Sequence, residues 1–324
     1  MTPPISSSAQ PAPSASGALS GNAVPHICVC ICTFRRPELL TRLLTRILEL
    51  NLGVNSFTVS CVVVDNDDLG SAAGVVEDFT DKLQIRYERE LERNFASVRN
   101  RAVKAAAGDY IGFIDDDEIP DPMWLLRLLE TCRQHNCAGA LGPVRPYFDD
   151  KPPRWLEKSR LCDRPVHPTG LILNWQQTRT GNCLLGREIF EPGGIWFDTA
   201  YRTGGEDVDF FKRAIASGRK FVWCEEAPAY ELVPPERMRL AYHLRRALLQ
   251  GGISLKYGLA KNSFADRFRT GLKSLVAIIV YTLALPFLLL GGYLPFINCL
   301  VKLCHHLGRF FALCGKPLLA ERKL

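Results

Sequence analysis

Four consecutive acidic residues at the end of an apolar segment constrain this chain more than any other feature. The stretch Gly108–Pro122 reads GDYIGFIDDDEIPDP, in which Tyr110–Ile114 is predicted to form a short strand. Adjacent carboxylates at the end of a buried strand repel one another, so the arrangement is costly unless a cation binds there. Grouped oxygen ligands suit Mg²⁺ or Mn²⁺, which bridge protein carboxylates and substrate phosphates. A solvated acidic turn is the alternative interpretation of this motif alone.

The surrounding segments predict an α/β domain with a mainly parallel sheet. Two apolar runs, Ile27–Cys32 and Val59–Val64, are typical of strands buried on both faces. Helical periodicity follows the first run from Pro37 to Leu48, and Asn94–Ala107 is a further predicted helix. In such sheets ligands bind beyond the carboxyl ends of the strands. Polar side chains stand at three predicted strand ends: Thr33, Asp65 and Asp115–Asp117.

Regular periodicity fades after a predicted strand at Ala138–Val144. Residues 145–205 are predicted to be rich in loops, and loops over a rigid sheet can hold a bulky polar substrate. The motif Gly204–Asp207 then leads into a predicted helix, and a last basic helix is predicted at Met238–Leu249.

Composition divides the chain into three regions. Residues 1–24 contain no charged residue and are rich in Ser, Ala, Pro and Gly, which predicts a disordered arm without a secretory signal. Residues 256–324 carry ten Lys or Arg and two Asp or Glu, a net charge of +8. Because the whole chain carries +6, residues 1–255 carry −2. A basic, apolar tail behind a near-neutral domain of residues 25–255 favours an anionic membrane surface over nucleic acid as partner.

The tail contains Leu275–Leu294, a 20-residue stretch without charge. This is long enough to cross the roughly 30 Å of bilayer hydrocarbon as a helix. Basic residues flank it on both sides, so a single crossing would violate the positive-inside rule. A hairpin or an in-plane pair of helices, broken near Gly291–Pro295, keeps both basic clusters cytoplasmic. A buried core helix is the alternative for a soluble chain.

Five motifs, taken in order, resemble the family 2 glycosyltransferases, inverting nucleotide-sugar enzymes of the GT-A fold. They are CICTFRRPELL, VVVDND, ERNFASVRNRAV, GDYIGFIDDDEIPDPMWL and GGEDVDFFKRA. The resemblance covers Pro25 to Gly252 and implies a Rossmann-like mixed sheet. The shorter motifs GPVRPYF, PPRW, RTGN, GGED and VPPER resemble bacterial enzymes that build succinoglycan-type exopolysaccharide. Those enzymes extend a lipid-linked oligosaccharide on the cytoplasmic face of the membrane.

On the donor side, the resemblance implies a divalent cation, Mn²⁺ or Mg²⁺, that neutralises the leaving nucleoside diphosphate. Asp117 is the implied metal ligand, Asp115 completes the acidic motif and Asp116 lies near the ribose. Asp65 matches the position that recognises the uracil edge. Taken alone, Asp65 would be better explained as a helix or turn cap, and Arg99 as a solvated helix charge. The remaining implied nucleotide-binding residues are Thr33, Arg36, Asn94 and Arg99.

On the acceptor side, inversion needs a carboxylate that deprotonates the attacking hydroxyl. Asp207 matches the family's general base, and Glu206 is implied to orient the acceptor. The alternative is that both acids only stabilise the start of a helix. Four further residues are candidates for lining the acceptor site, with core packing as the alternative for each tryptophan: Arg179, Asn182, Trp155 and Trp196.

These observations predict a metal-dependent, inverting glycosyltransferase at the cytoplasmic face of the inner membrane. It would transfer a sugar from a UDP-sugar to a polyprenyl-linked saccharide, without nucleic acid as partner. A nucleotidyltransferase would carry a glycine-rich phosphate loop after the first strand, which CICTFRRPELL lacks. A membrane-anchored glycan- or nucleotide-binding subunit without activity is the other alternative. A dinucleotide oxidoreductase would need the G-x-G-x-x-G motif, which the sequence lacks.

Overall fold

The computed structural model describes residues 24–201, 204–259, 264–316 and 318–319, without the side chains of 256–259. The predicted disordered arm therefore lies almost wholly outside the described residues. The strands in this part of the chain are β1 (His26–Thr33), β2 (Thr58–Asp65), β3 (Ile85–Arg89), β4 (Tyr110–Phe113), β5 (Glu118–Pro120), β6 (Gly139–Leu141), β7 (Val144–Tyr147), β8 (Cys183–Gly186), β9 (Phe221–Trp223) and β10 (Ala229–Leu232). The α-helices are α1 (Pro37–Leu48), α2 (Ala73–Glu77), α3 (Phe95–Ala105), α4 (Trp124–His135), α5 (Arg154–Ser159), α6 (Glu206–Ala216), α7 (Leu240–Leu259), α8 (Phe264–Leu290) and α9 (Tyr293–Leu313).

The main sheet is mixed. Its strand order is β3-β2-β1-β4-β8-β6-β9, and β8 runs antiparallel to both β4 and β6 while the other pairs are parallel. The prediction of a mainly parallel sheet is thus confirmed, and β8 makes the sheet mixed, as the family resemblance implies. Strand β8 lies inside the segment predicted as loop-rich. It could not be recognised in the sequence, because its four buried residues are too few to display a period.

Both faces of the sheet are covered, as the continuous apolar run of β1 predicts. Ile27, Val29 and Ile31 pack into the core that contains α1 and α4, whereas Cys28 and Cys30 pack into the core that contains α3 and α6. The free thiols of β1 therefore act as small apolar side chains. Because β1, β2 and β4 run parallel, their carboxyl ends meet at one edge of the sheet.

The C-terminal helices extend beyond the predicted elements. Helix α7 continues ten residues past the predicted end at Leu249 and runs across the predicted boundary at residue 255. Helices α8 and α9 are separated at Gly291–Gly292, where a break was predicted, and Pro286 lies inside α8. Helix α9 contacts both α7 and α8. Within the described residues, α8 alone is long and apolar enough to cross a membrane, with a mean hydropathy of 2.1.

Candidate active site

The turn after β1 and the acidic motif after β4 are joined by direct hydrogen bonds. The Thr33 hydroxyl donates to Oδ2 of Asp116 at 2.8 Å. The Arg36 guanidinium donates to Oδ1 of Asp116 at 2.9 Å and to Oδ2 of Asp117 at 3.2 Å. The structure therefore joins four of the predicted donor-site residues by hydrogen bonds, and Asp115 is the next residue in the chain.

Burial and mutual repulsion raise the pKa of carboxyl groups in the acidic motif. Burial, followed by the charges of Asp115 and Asp116, raises the pKa of Asp117 to about 6. Burial also raises the pKa of Asp116, although Arg36 and Thr33 act in the opposite direction. The pKa of Glu118 lies well above its ordinary value, because burial is reinforced by the charge of Asp115. This edge of the sheet thus accumulates negative charge that the protein only partly compensates.

The acidic residues present suit a cation that arrives together with a phosphate ligand. In the described ranges, no group of three or more His, Cys, Asp or Glu side chains could hold a metal ion by itself. Mg²⁺ is commonly bound by one or two carboxylates, with substrate phosphates and water completing the shell. Asp115 and Asp117 supply such oxygen donors, and the raised pKa of Asp117 reflects burial together with carboxylate repulsion that a cation would relieve. The donor set therefore fits Mg²⁺ or Mn²⁺.

The carboxylate of Asp65, at the end of β2, accepts hydrogen bonds from the loop that follows this strand. Its side chain is fully buried and accepts hydrogen bonds from the backbone N–H groups of Asp67 at 2.9 Å and Ala72 at 2.8 Å. The hydroxyl of Tyr87 on β3 also donates to it at 3.1 Å. This geometry is that of a turn cap, the alternative interpretation of Asp65, and it fixes the loop beside the acidic motif.

Asn94 also has a structural role. Its side-chain oxygen caps α3 by accepting from the N–H of Ala96 at 3.0 Å, and its amide donates to the carbonyl of Thr199 at 2.8 Å. The cap fixes the start of α3, and this helix carries Arg99 one turn further on.

Arg99 links the acidic motif to the Gly-Gly-Glu-Asp motif. Its guanidinium pairs with the carboxylate of Glu206, which is 3% exposed. Burial alone would lower the pKa of Arg99, but Glu206, Asp115 and Asp207 outweigh burial and raise it above its ordinary value. Burial raises the pKa of Glu206 in turn, against the charge of Arg99. One arginine therefore interacts with carboxylates of both motifs.

Helix α6 begins inside the Gly-Gly-Glu-Asp motif. Gly205 is the residue before its first turn and adopts a φ of +96°, a conformation that side-chain-bearing residues rarely adopt. Asp207 is half-buried, and its Oδ1 accepts the N–H of Val208 at 2.8 Å. Asp209 in the same turn pairs with Arg213 at 2.7 Å. The left-handed glycine thus turns the chain so that Glu206 and Asp207 start the helix near Arg99.

The RTGN motif approaches the acidic motif closely. A Cβ added at Gly181 would lie 2.9 Å from Oε1 of Glu118 and 3.1 Å from Oδ2 of Asp115. Arg179 of the same motif has a pKa lowered to about 10 by burial and by Arg164, while Glu118, Glu231 and Asp207 act in the opposite direction. Arg179 therefore lies near carboxylates of the site, and its role towards an acceptor stays a prediction.

Asn182 does not fit the predicted acceptor role. Its amide donates to the carbonyl oxygens of Pro143 and Ala227, both at 2.8 Å, and its oxygen accepts from Nε1 of Trp124 at 2.6 Å. The side chain is fully buried, and its φ is +55°. Asn182 therefore ties the loop after β6 and the segment before β10 to α4, and a structural role explains it.

The two candidate tryptophans also pack within the protein. Trp196 lies edge-on to Phe190, with ring centroids 5.8 Å apart, and joins the core beneath α6. Trp155 on α5 lies edge-on to His243 of α7 at 5.9 Å. Core packing, which was the alternative to an acceptor role, therefore describes Trp196. Trp155 contacts the C-terminal helices instead of the acidic motif.

A group around Glu231 was missed among the predicted site residues. Glu231 accepts from Arg237 at 2.6 Å and also pairs with Arg164. Arg237 belongs to the VPPER motif, and its pKa is raised against the effect of burial, chiefly by Glu231 and to a smaller extent by the charge of Asp117. The motif itself was the available signal, because it was singled out in the sequence without a role. Arg237 adds a second guanidinium, besides Arg36, near the acidic motif.

Comparison with known proteins identifies the family. The sequence model described as Glycosyl transferase family 2 matches residues 28–196, more than half of the chain. The succinoglycan biosynthesis protein ExoM of Rhizobium meliloti (strain 1021) is 33% identical over 236 residues, which cover 71% of this chain and 74% of ExoM. The hyaluronan synthase of Pasteurella multocida is 22% identical over 241 residues, 64% of this chain but only 24% of that enzyme.

Solved structures share the fold. The mannosyltransferase PcManGT from Pyrobaculum calidifontis, in complex with GDP-Man and Mn²⁺, has a TM-score of 0.54 and 17% identity, covering 90% of this chain and 72% of its own. S. aureus TarS 1-349 in complex with UDP has a TM-score of 0.52 and 15% identity, covering 90% of this chain and 92% of its own. These similarities confirm the GT-A fold with a mixed sheet. The chain belongs to the family 2 glycosyltransferases and, within them, is similar to the succinoglycan type.

Proposed function

We propose that this chain is an inverting, metal-dependent glycosyltransferase of exopolysaccharide biosynthesis that transfers a sugar from a UDP-sugar to a lipid-linked saccharide. The observation that carries the proposal is the buried Arg99, which pairs with Glu206 beside Asp207 and lies close enough to the acidic motif for the charge of Asp115 to raise its pKa. A donor-side and an acceptor-side carboxylate group therefore adjoin one another through one buried cation. Transfer between two bound substrates needs such adjacent subsites.

The similarities support the substrate class. ExoM is a succinoglycan biosynthesis protein, which favours exopolysaccharide synthesis. TarS 1-349 has been solved with UDP, and a second TarS structure contains UDP-GlcNAc. PcManGT was solved with a nucleotide-sugar and Mn²⁺, which favours a divalent cation with the all-oxygen donor set of Asp115 and Asp117.

The side chains of the site would have different roles in the transfer reaction. A bound divalent cation would neutralise charge on the leaving diphosphate. Arg36 and Arg237 would hold the diphosphate at the acidic motif, and Thr33 would keep Asp116 in place. Asp207 would accept the proton of the acceptor hydroxyl as its oxygen bonds to the anomeric carbon and UDP departs from the opposite face. Glu206, held by Arg99, would position the acceptor.

The C-terminal helices support a membrane-bound acceptor. Helix α8 exposes a wide apolar surface, and the tail from residue 256 carries the net charge of +8. A cation-rich, apolar surface is attracted to the anionic cytoplasmic leaflet. We infer that the tail holds the catalytic domain at the cytoplasmic face, beside a polyprenyl-linked saccharide.

The test is sugar transfer in a reconstituted system. Detergent-solubilised full-length chain is incubated with Mn²⁺, a panel of radiolabelled UDP-sugars and a polyprenyl-linked oligosaccharide fraction. Label should enter the lipid fraction with stoichiometric release of UDP, and the anomeric proton coupling of the product should report inversion. Release of pyrophosphate in place of UDP, or no turnover of any UDP-sugar by a folded sample, would overturn the proposal.

A matched pair of variants tests the general base. Asp207→Asn should lower kcat by about 10²-fold or more, the usual contribution of a positioned base, and leave UDP binding intact. Asp209→Asn lies in the same helical turn but is paired with Arg213, so it should retain turnover. Equal activity of the Asp207→Asn variant and the parent chain would exclude Asp207 as the base.

A further inference from the structure

Helix α9 is fixed to α7, the last helix that continues from the α/β domain. A Cβ added at Gly251 of α7 would lie 2.0 Å from the carbonyl oxygen of His305. One added at Gly308 of α9 would lie 2.0 Å from the carbonyl oxygen of Leu248. The two helix backbones therefore touch at reciprocal glycines, a contact that leaves no room for lipid between them. Helix α9 thus belongs to the body of the protein.

Helix α8 follows α9 along its length. Near the start of α8, a Cβ added at Gly271 would lie 3.8 Å from Cδ1 of Leu313 at the end of α9. In the middle, the Sγ of Cys299 lies 3.6 Å from the carbonyl oxygen of Tyr281, and Ser274 is fully buried. The two helices are therefore antiparallel, and α8 lies against a helix that is itself fixed to the domain.

The far end of α8 also returns to the domain. A cavity of about 340 Å³ separates the turn between α8 and α9 from α5. Residues of the turn, 291–295, line one side, and Arg154, Trp155 and Lys158 of α5 line the other. Helix α9 contacts both α5 and α7, so both ends of α8 lie beside elements of the catalytic domain or beside α9, which is fixed to it.

The remaining surface of α8 is apolar and uncovered. Leu283 and Phe287 are 66% and 73% exposed, and the window that qualifies α8 as a possible membrane span is 6% buried. Other exposed apolar residues of α8 include Phe264, Phe268, Leu272, Ile279, Val280 and Leu290. The length and hydropathy of α8 would allow it to cross a bilayer. The contacts of α8 with the rest of the protein therefore have to distinguish a membrane-spanning helix from one that lies in the membrane plane.

We propose that α8 lies in the plane of an anionic bilayer, with its exposed apolar face in the acyl boundary and Arg154 and Lys158 among the lipid phosphates. This inference rests on the membrane association proposed above and specifies the orientation of α8 in the membrane. An upright α8 would carry the turn at 291–295, and with it these two cations of α5, across the hydrocarbon, where buried charges are costly. An in-plane helix leaves both cations at the surface, where anionic lipids attract them.

Depth-dependent fluorescence quenching distinguishes the two geometries. Tryptophan is introduced at exposed positions near the two ends of the apolar face, as Leu272→Trp and Phe287→Trp, in separate full-length chains. Each variant is bound to vesicles with bromine at different acyl positions, and the quenching of the parent chain is subtracted. An upright helix would separate the two positions by about 22 Å in depth, from the 1.5 Å rise per residue.

The in-plane geometry predicts the same shallow quenching profile at both positions, about 5–10 Å below the headgroups. Profiles that place one position near the bilayer centre and the other at a surface would overturn the proposal. Absence of quenching at both positions would also overturn it. UDP binding by the same samples is measured in parallel, so a failure of the membrane geometry is distinguished from a failure of the nucleotide site.

Vesicle binding tests the two cations of α5. The double variant Arg154→Gln/Lys158→Gln should bind phosphatidylglycerol-containing vesicles about 25-fold more weakly, about fivefold for each cation at an anionic surface. The matched control is Arg160→Gln. Arg160 directly follows the same helix, lies outside the cavity and faces Asp163, so the substitution should change binding by less than twofold. Equal losses in the control and the double variant would overturn the assignment of Arg154 and Lys158 to the membrane surface.

Discussion

Replacing Asp117 by asparagine should stabilise the ligand-free chain while removing its metal-dependent nucleotide binding. Burial and the neighbouring carboxylates raise the pKa of Asp117 from 3.8 to about 6, although Arg36 contacts it at 3.2 Å. The pKa of the folded chain therefore lies about two units above the ordinary value, and one pKa unit is equivalent to about 1.4 kcal/mol of free energy. The side chain is only 16% exposed, so solvent screens little of this cost. We expect Asp117→Asn to raise the free energy of unfolding at pH 7.5 by about 1–3 kcal/mol.

The sign of the pH dependence follows from the direction of the shift. The folded pKa lies above the unfolded value, so the folded chain binds the proton more tightly than the unfolded chain does. The cost of the charged carboxylate is therefore fully present above pH 6 and is lost as the pH falls towards 4. The stability difference between Asp117→Asn and the parent chain should shrink over that window.

The assay is urea unfolding of the detergent-solubilised chain at several pH values between 4.5 and 7.5, followed by tryptophan fluorescence. Asp150→Asn, which replaces an exposed carboxyl group outside the site, is the matched control and should change stability by less than about 0.5 kcal/mol. A destabilised Asp117→Asn variant, or a difference that does not depend on pH, would refute the argument that Asp117 is held in an unfavourable charged state.

Three further predictions concern residues that the structure assigns to packing or pairing. Glu206→Ala leaves the buried guanidinium of Arg99 unpaired, so urea unfolding should report a loss of about 3–5 kcal/mol; a loss below 1 kcal/mol would contradict the buried pair. Asn182→Ala removes three hydrogen bonds and should cost about 2–4 kcal/mol while leaving the KM for acceptor unchanged; a raised KM with unchanged stability would restore the acceptor role. Gly308→Ala forces α9 away from α7 and should lower Tm by several degrees, whereas Gly252→Ala, whose added Cβ would meet its nearest atom at 3.6 Å, should not; equal Tm values would contradict the close helix contact.

The donor half of the site could be predicted from the sequence because strand ends and motifs locate it. The apolar runs of β1 and β2 predict buried parallel strands, and the ends of such strands share one edge of the sheet. Thr33, Arg36 and Asp116 accordingly lie in hydrogen-bond contact. The break at Gly291–Gly292 was predictable for the same kind of reason, since two glycines before a proline interrupt a helix.

The contacts that connect the rest of the site could not be predicted because they are long-range and lack a periodic signal. Asn182 resembles an exposed loop residue in sequence, but its partners come from positions 39 and 45 residues away in the chain and from Trp124. Strand β8 has only four residues, and its antiparallel pairing depends on β4 and β6, which flank it. Arg237 is brought towards Asp117 by β10 and the short helix that follows. Such proximity is a property of the fold.

The most direct test of the glycosyltransferase account is calorimetric titration of UDP into the detergent-solubilised chain, with and without Mn²⁺. We expect saturable binding of one UDP per chain that requires Mn²⁺ and disappears in Asp117→Asn. Binding of equal affinity without Mn²⁺ and in Asp117→Asn would contradict the assignment of the acidic motif to the metal and the diphosphate. No binding of UDP by a folded sample under either condition would contradict the choice of UDP-sugar as donor.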